Sequence, residues 1–240
     1  MEIKQFSEQL KSNLQNINVI LNDKQIEMFY TYMQLLLEWN EKMNLTAITD
    51  PQDIIIKHFV DSLTIEKYIK KDAKIIDIGT GAGFPGIPLS IARNDLNVTL
   101  MDSLNKRITF LDEVIKENNL NNVDTVHSRA EELARNKDFR EQFDVVTSRA
   151  VASLNVLLEY MLPFTKVEGY CICMKGSNIE EEINNSKKAL ELLNGKIEKI
   201  ETLELPGTDY GRNIIIIKKI NNISNKYPRK PGTPAKEPIV

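Results

Sequence analysis

The run Lys74-Ile-Ile-Asp-Ile78 is short and apolar, and the residues that follow it, Gly79-Thr-Gly-Ala-Gly-Phe-Pro-Gly86, hold four of the chain's ten glycines. An apolar strand that gives way to a glycine-rich turn and then to a helix places a close-approach loop at the edge of a parallel sheet. Glycine accepts φ > 0 and lets a ligand meet backbone where a Cβ would block it. The rest of the chain fits that plan. Strands are expected at 74–79, 97–102, 124–128, 143–148, 169–175, 196–205 and 212–220, with helices at 86–93, 104–118, 130–136, 151–161 and 178–194. Strand–helix alternation implies a doubly wound sheet with right-handed crossovers. The link Pro206-Gly-Thr-Asp-Tyr-Gly211 is too short for a helix, so the last two strands should form an antiparallel hairpin. The fold class is therefore α/β, Rossmann-like, with a seven-stranded mixed sheet, helices on both faces and an N-terminal helical extension.

Residues 1–70 read as that helical cap, 71–220 as the ligand-binding domain and 221–240 as a C-terminal arm. In the cap, Asn22 can act as N-cap with Gln25 at N3, and Ile26, Phe29, Tyr30, Met33, Leu36 and Leu37 recur at helical spacing. Asp50-Pro51 is a second helix start, and Ser103 is a third cap. The arm holds four of the nine prolines and is expected to be extended, without a helix. Residues 218–240 carry six basic side chains and one acid, a net of +5 on a chain of net −3, so the remainder carries −8. That asymmetry suggests an anionic partner. Cys171 and Cys173 lie two apart in one apolar run, a poor disulfide geometry, and read as core residues in a reducing cytosol. The N-terminus lacks a signal-peptide pattern, and no apolar run approaches the ~18 residues of a membrane span, so a cytoplasmic protein without a membrane partner is expected.

Two ligand classes compete for the glycine loop. Gly81-Ala-Gly83-Phe-Pro-Gly86 satisfies the dinucleotide pattern, with Asp102 placed to take ribose hydroxyls. Yet Phe84-Pro85 stands where a pyrophosphate needs free N–H donors. S-adenosylmethionine needs no such cradle, and Asp77 beside the loop could attract its ammonium directly or through water. An NAD(P)-dependent oxidoreductase, a methyltransferase on another substrate and a non-catalytic cofactor-sensing or RNA-binding module are the competing readings.

Seven segments carry a closer resemblance: Trp39-Asn-Glu-Lys-Met-Asn44-Leu-Thr46, His58-Phe-Val-Asp61-Ser-Leu, Asp77 to Gly86, Asp102-Ser-Leu-Asn-Lys-Arg107, Arg129-Ala-Glu131, Ser148-Arg-Ala150 and Tyr227-Pro-Arg-Lys-Pro-Gly-Thr-Pro. Together they make the chain resemble the RsmG family, also called glucose-inhibited division protein B, within the class I S-adenosylmethionine-dependent methyltransferases. The resemblance implies methyl transfer to N7 of a guanine in bacterial 16S ribosomal RNA. It implies that Gly79, Gly81 and Phe84 line the cofactor site, that Asp102 takes the ribose, that Ala130 and Glu131 flank the adenine, and that Arg149 faces the transfer site. Arg149, His58 or Lys175 would reach guanine O6; Lys106, Arg107, Arg229 and Lys230 would meet RNA, the tail lysines Lys226 and Lys236 adding backbone contacts. Trp39 and Asn40 read as packing residues, Asn44 and Thr46 as site lining, and His127 as structural. Guanine N7 has a free lone pair, so no catalytic base and no metal is expected. The partner implied is 16S rRNA or the small ribosomal subunit, met by a monomer. Loss of residues 221–240 is expected to weaken RNA binding and to leave cofactor affinity unchanged.

Overall fold

The computed structural model describes residues 1–176 and 179–240. Helix α1 (Ile3–Gln15) packs on α2 (Asp23–Asn40). The start of α2 is a capping box: Asn22 Oδ1 accepts from Gln25 N and Gln25 Oε1 accepts from Asn22 N, each at 2.9 Å. Gln25 Nε2 also donates to the carbonyls of Ile91 and Ala92, at 2.8 and 2.9 Å. Those carbonyls end α5 (Gly86–Ala92) and would otherwise be orphans, so one side chain closes two helix termini and joins the cap to the sheet domain. The buried face of α2 is Ile26, Phe29, Tyr32, Met33 and Leu36, with Tyr30 and Leu37 only half-buried.

Asp50 caps α3 (Pro51–Ile54), with Pro51 in the first turn. A π-helical stretch, Ile55–Val60, and α4 (Asp61–Leu63) continue it. The strands are β1 (Lys74–Ile78), β2 (Asn97–Asp102), β3 (Val123–His127), β4 (Phe143–Arg149), β5 (Thr165–Lys175), β6 (Gly195–Glu204) and β7 (Gly211–Lys219). Their order is β3-β2-β1-β4-β5-β7-β6; β1 to β5 run parallel, and β7 runs antiparallel to both β5 and β6. The mixed sheet and terminal hairpin therefore match the sequence reading. Because β1 sits between β2 and β4, the chain reverses direction across the sheet there, and the crevice opens at the carboxyl ends of these strands.

Alternation along the strands feeds two cores. Ile75, Leu100, Val145, Ile172 and Ile216 join Phe6, Phe29, Tyr32 and Phe59 of the cap in one apolar cluster. Ile76, Ile78, Met101, Val146, Ile215, Cys171 and Cys173 face the other, under α8 (Leu154–Met161). Burial pushes the Cys171 thiol up to about 12 and raises Cys173 further, which keeps both as unreactive core groups.

Several local expectations are corrected. α6 (Asn105–Glu117) has Leu104 at its cap position, not Ser103, because Asp102 Oδ1 takes the Leu104 N–H at 2.9 Å. The helix expected at 130–136 is the single turn α7 (Ala130–Leu133). The helix expected at 178–194, whose first residue lies outside the described residues, is two, α9 (Glu180–Asn185) and α10 (Lys187–Leu192), divided where Ser186 Oγ bonds back to the Glu182 carbonyl at 2.6 Å. The C-terminal segment does contain a turn of helix, α11 (Thr233–Lys236), because Pro234 stands in the first turn, where no N–H is needed. The segment also lies along α7 and α8 and is bound to them. No described helix is long and apolar enough to cross a membrane.

Candidate active site

The carboxyl ends of β1, β2 and β4 open into a cleft of about 790 Å³ whose wall includes Gly79, Gly81, Phe84, Asp102, His58 and Arg149. Gly79 follows β1 with φ +66°, and a Cβ there would stand 2.8 Å from Val151 Cγ2. Only glycine meets both conditions without strain. Where α5 begins, a Cβ on Gly86 would collide with Leu100, so the helix could not pack this closely on β2.

Asp77 organises the loop from beneath. It has no exposed surface; its Oδ2 accepts from Thr80 Oγ1 at 2.7 Å and from Gly86 N at 2.9 Å. Its Oδ1 has no partner among the described residues. Burial lifts its carboxyl to about 6, against the two hydrogen bonds and Arg149, which lower it. The expectation that Asp77 attracts the cofactor ammonium is corrected as to direct contact: Asp77 is not on the cleft wall, because its carboxylate is turned under the loop to close the Thr80–Gly86 turn.

Most of the loop's other donors are also spent internally. Gly83 and Phe84 N–H groups bond the Thr80 carbonyl, and Ile87 N–H bonds that of Gly83. Gly81 N–H bonds Asp102 Oδ2 at 3.0 Å. A diphosphate would find few free donors here, whereas a nucleoside without phosphates needs none. Asp102 is 1% exposed, lines the cleft and accepts from Arg107 Nη1 at 3.1 Å as well; among the described residues its Oδ1 accepts only from Leu104 N–H and so keeps acceptor capacity for a hydroxyl. Beside it, an adjoining hollow of about 370 Å³ shares Gly79, Ser103 and Val151 with the cleft and is walled by Ile78, Met101, Ala130, Glu131 and Tyr160. An apolar slot next to a hydroxyl acceptor suits an adenosine, so the residues present fit S-adenosylmethionine.

At the opposite end of the cleft the π-helical stretch delivers His58, and β4 delivers Arg149. Arg149 Nη1 donates to Asp61 Oδ2 at 2.9 Å and to the Lys57 carbonyl at 3.2 Å. Its Nη2 lies 3.2 Å from His58 Nδ1, and its guanidinium lies 4.9 Å from the Phe84 ring centroid. A guanidinium has no lone pair, so Nδ1 is the acceptor and His58 Nε2–H donates to Thr46 Oγ1 at 2.8 Å. Burial, then Arg149, lowers the His58 pKa to about 3, which keeps the ring neutral at neutral pH. His58 stacks on Phe84 at 4.3 Å and 17°. Asn40 Oδ1 accepts from Leu45 N and Thr46 N, which bends the loop so that Thr46 reaches His58.

Sequence reading missed Asp61 and Arg212 as site residues. The Asp61 carboxylate, 1% exposed, is shared by Arg149 and by Arg212 Nε at 3.1 Å, and Arg212 also lines the cleft. No local pattern marks Arg212, which arrives on β7 from far along the chain. Lys57 lines the cleft as well, with its ammonium over the exposed Tyr210 ring.

The structure thus gathers Gly79, Gly81, Phe84, Asp102, Arg107, Arg149, His58 and Lys175 around one cleft, with Ala130 and Glu131 in the adjoining hollow. His58 offers no free ring donor for a base edge, since both nitrogens are engaged. Lys175 Nζ is held by the Ala152 carbonyl at 2.6 Å and Glu182 at 2.7 Å. Asn44 is exposed and off the wall, while Thr46 is on it. Lys106 and Lys230 are exposed but lie outside the cleft wall. Arg229 is not free for RNA: it forms a two-pronged pair with the buried Glu159, at 3.0 and 2.7 Å.

Residues 25–214 match the family model described as GidB, rRNA small subunit methyltransferase G. The chain is 51% identical to the ribosomal RNA small subunit methyltransferase G of Alkaliphilus oremlandii, over the whole of both chains. It is 55% identical to that of Acetivibrio thermocellus, covering 92% of this chain and 91% of the relative. In fold it is similar to an S-adenosylmethionine-dependent methyltransferase from Aquifex aeolicus, with 16% identity, TM-score 0.53, and 75% and 97% of the two chains covered. It is also similar to TYW2 of M. jannaschii, solved with AdoMet, with 20% identity, TM-score 0.53, and 68% and 76% covered. With the match spanning cap, glycine loop and hairpin alike, the chain belongs to the small-subunit rRNA methyltransferase G family, enzymes that take their methyl group from S-adenosylmethionine.

Proposed function

We propose that this enzyme methylates N7 of one guanine in 16S ribosomal RNA, acting on the small ribosomal subunit or its rRNA in the cytoplasm. The observation that carries the cofactor half is the loop, most of whose donors are already bonded to protein acceptors, beside an apolar slot and Asp102. The same closure weighs against a dinucleotide and an oxidoreductase. When bound, S-adenosylmethionine supplies an already activated methyl group.

The chain's part is to position and to shield. Asp102 accepts the ribose hydroxyls, and Gly79 and Gly81 admit the cofactor against backbone. Ala130 and Glu131 offer the first-turn N–H groups of α7, which have no intrahelical partner, to the adenine edge. Phe84 and His58 make a stacked wall that keeps water from the methyl group. Arg149 is held by Asp61, by His58 and by backbone carbonyls, while its Nε–H has no partner among the described residues and is offered to guanine O6. N7 carries an in-plane lone pair and no proton, so no residue has to act as base. Alignment within bond-forming distance is the main contribution. Unpaired loop bases are the accessible targets, since their edges can be reached and their faces stacked.

Small subunits from cells lacking this protein, incubated with it and labelled S-adenosylmethionine, should gain 7-methylguanosine in 16S rRNA by nucleoside mass spectrometry. Label at another base, or in no RNA, would refute the assignment.

A further inference from the structure

The C-terminal segment is bound along the outer side of the adenine slot. Arg229 donates to the 1%-exposed Glu159 from its side chain and, at 2.7 Å, from its backbone N–H. Arg135 Nη2 donates to the Pro228 carbonyl at 2.5 Å and Arg140 Nη1 to that of Tyr227 at 2.9 Å. Asn155 Nδ2 reaches the Ile239 carbonyl at 3.2 Å, and Ile223, Tyr227 and Pro234 are buried. The last fastening is made by a proposed cofactor residue: Glu131 Oε1 accepts the Gly232 N–H at 2.8 Å. Gly232 and Ala235 then stand on the wall of the hollow, together with Ile78, Met101 and Ala130. Both are small, as a wall against the face of a flat ring requires. Gly232 is left-handed, φ +81°, which turns the segment at that point.

We propose that residues 227–236 are part of the cofactor site: a strap that walls the adenine slot through Gly232 and Ala235 and is latched to it by Glu131 and Glu159. This rests on the proposed placement of the adenine beside Ala130. It reverses the expectation that loss of the arm leaves cofactor affinity unchanged. The strap's basic Arg229 is a latch on a buried carboxylate, which would otherwise remain uncompensated.

Photolysis of the wild-type enzyme with 8-azido-S-adenosylmethionine tests this without a variant. Adducts within 227–236, together with adducts near 128–131, are expected. Adducts near 128–131 alone would overturn the strap, and adducts at neither place would overturn the cofactor placement itself. In parallel, Ala235→Trp should fill the slot and weaken S-adenosylhomocysteine binding by about tenfold or more in calorimetry. Ala235→Ser should bind like wild type. Arg229→Ala should raise KM for S-adenosylmethionine with kcat little changed, because the strap loosens without touching the transfer site. A folded Ala235→Trp enzyme with wild-type affinity would refute the proposal.

Discussion

Asp77 shows how a single carboxylate can serve the fold at an energetic cost. Its acid form is favoured by burial, so its pKa rises from 3.8 to about 6. A raised acid pKa means the native state binds the proton more tightly than the unfolded chain. The associated stability is present below pH 4 and is lost as pH rises through 6. Asp77→Asn keeps an oxygen for Thr80 and Gly86 and removes the titration. In urea melts of the cofactor-free enzyme, the variant should gain up to about 3 kcal/mol on wild type between pH 4 and pH 7. Parallel pH profiles would contradict it. Thr46→Val is the second residue-scale test. It leaves the His58 Nε2–H buried without an acceptor, at a cost of about 1–3 kcal/mol, and should lower methyl transfer more than cofactor affinity. Unchanged activity would remove the Thr46–His58–Arg149 chain from the site.

Among the elements, the β1–loop–α5 unit was the most legible, because its glycines answer local backbone demands. Gly79→Val adds a Cβ at φ +66° against Val151, which costs about 1–2 kcal/mol in backbone conformation. The melting temperature should fall by a few degrees while S-adenosylhomocysteine binding is lost in calorimetry; retained wild-type affinity would refute the placement. Gln25 was legible only as half of a capping box. Its Nε2 bonds to Ile91 and Ala92 depend on α2 meeting α5, 66 residues away, and no local pattern encodes that. Gln25→Leu should therefore cost about 1–2 kcal/mol, more than an exposed cap alone, as read by denaturant melts. The divided α9–α10 helix and the α11 turn were misread because propensity over a few residues is weak against tertiary packing.

Across the whole molecule, the basic tail is less available than its net charge suggests. Lys219 is fully buried against Glu141 and two backbone carbonyls, Lys218 is paired with Glu168, and Arg229 with Glu159. Lys226, Lys230 and Lys236 remain exposed. Lys106→Gln with Lys230→Gln should reduce the log-affinity versus log-salt slope for 16S rRNA by ~0.7–0.9 for each phosphate no longer neutralised. A slope equal to that of wild type would exclude Lys106 and Lys230 as RNA-binding residues.

Strand–helix alternation, the glycine loop, Asp102 and the short Pro206–Gly211 link were enough to indicate a mixed seven-stranded sheet and the edge at which the cleft opens. These features act over a few residues, through backbone sterics and periodicity, so a linear reading reaches them. The pairing of Asp61 with Arg149 and Arg212, the inward turn of Asp77 and the latching of the C-terminal strap on Glu131 and Glu159 emerged only on folding. Each joins residues tens to more than a hundred positions apart or hinges on which way a side chain is buried, and desolvation, which sets both, acts between elements that only the packed chain brings together.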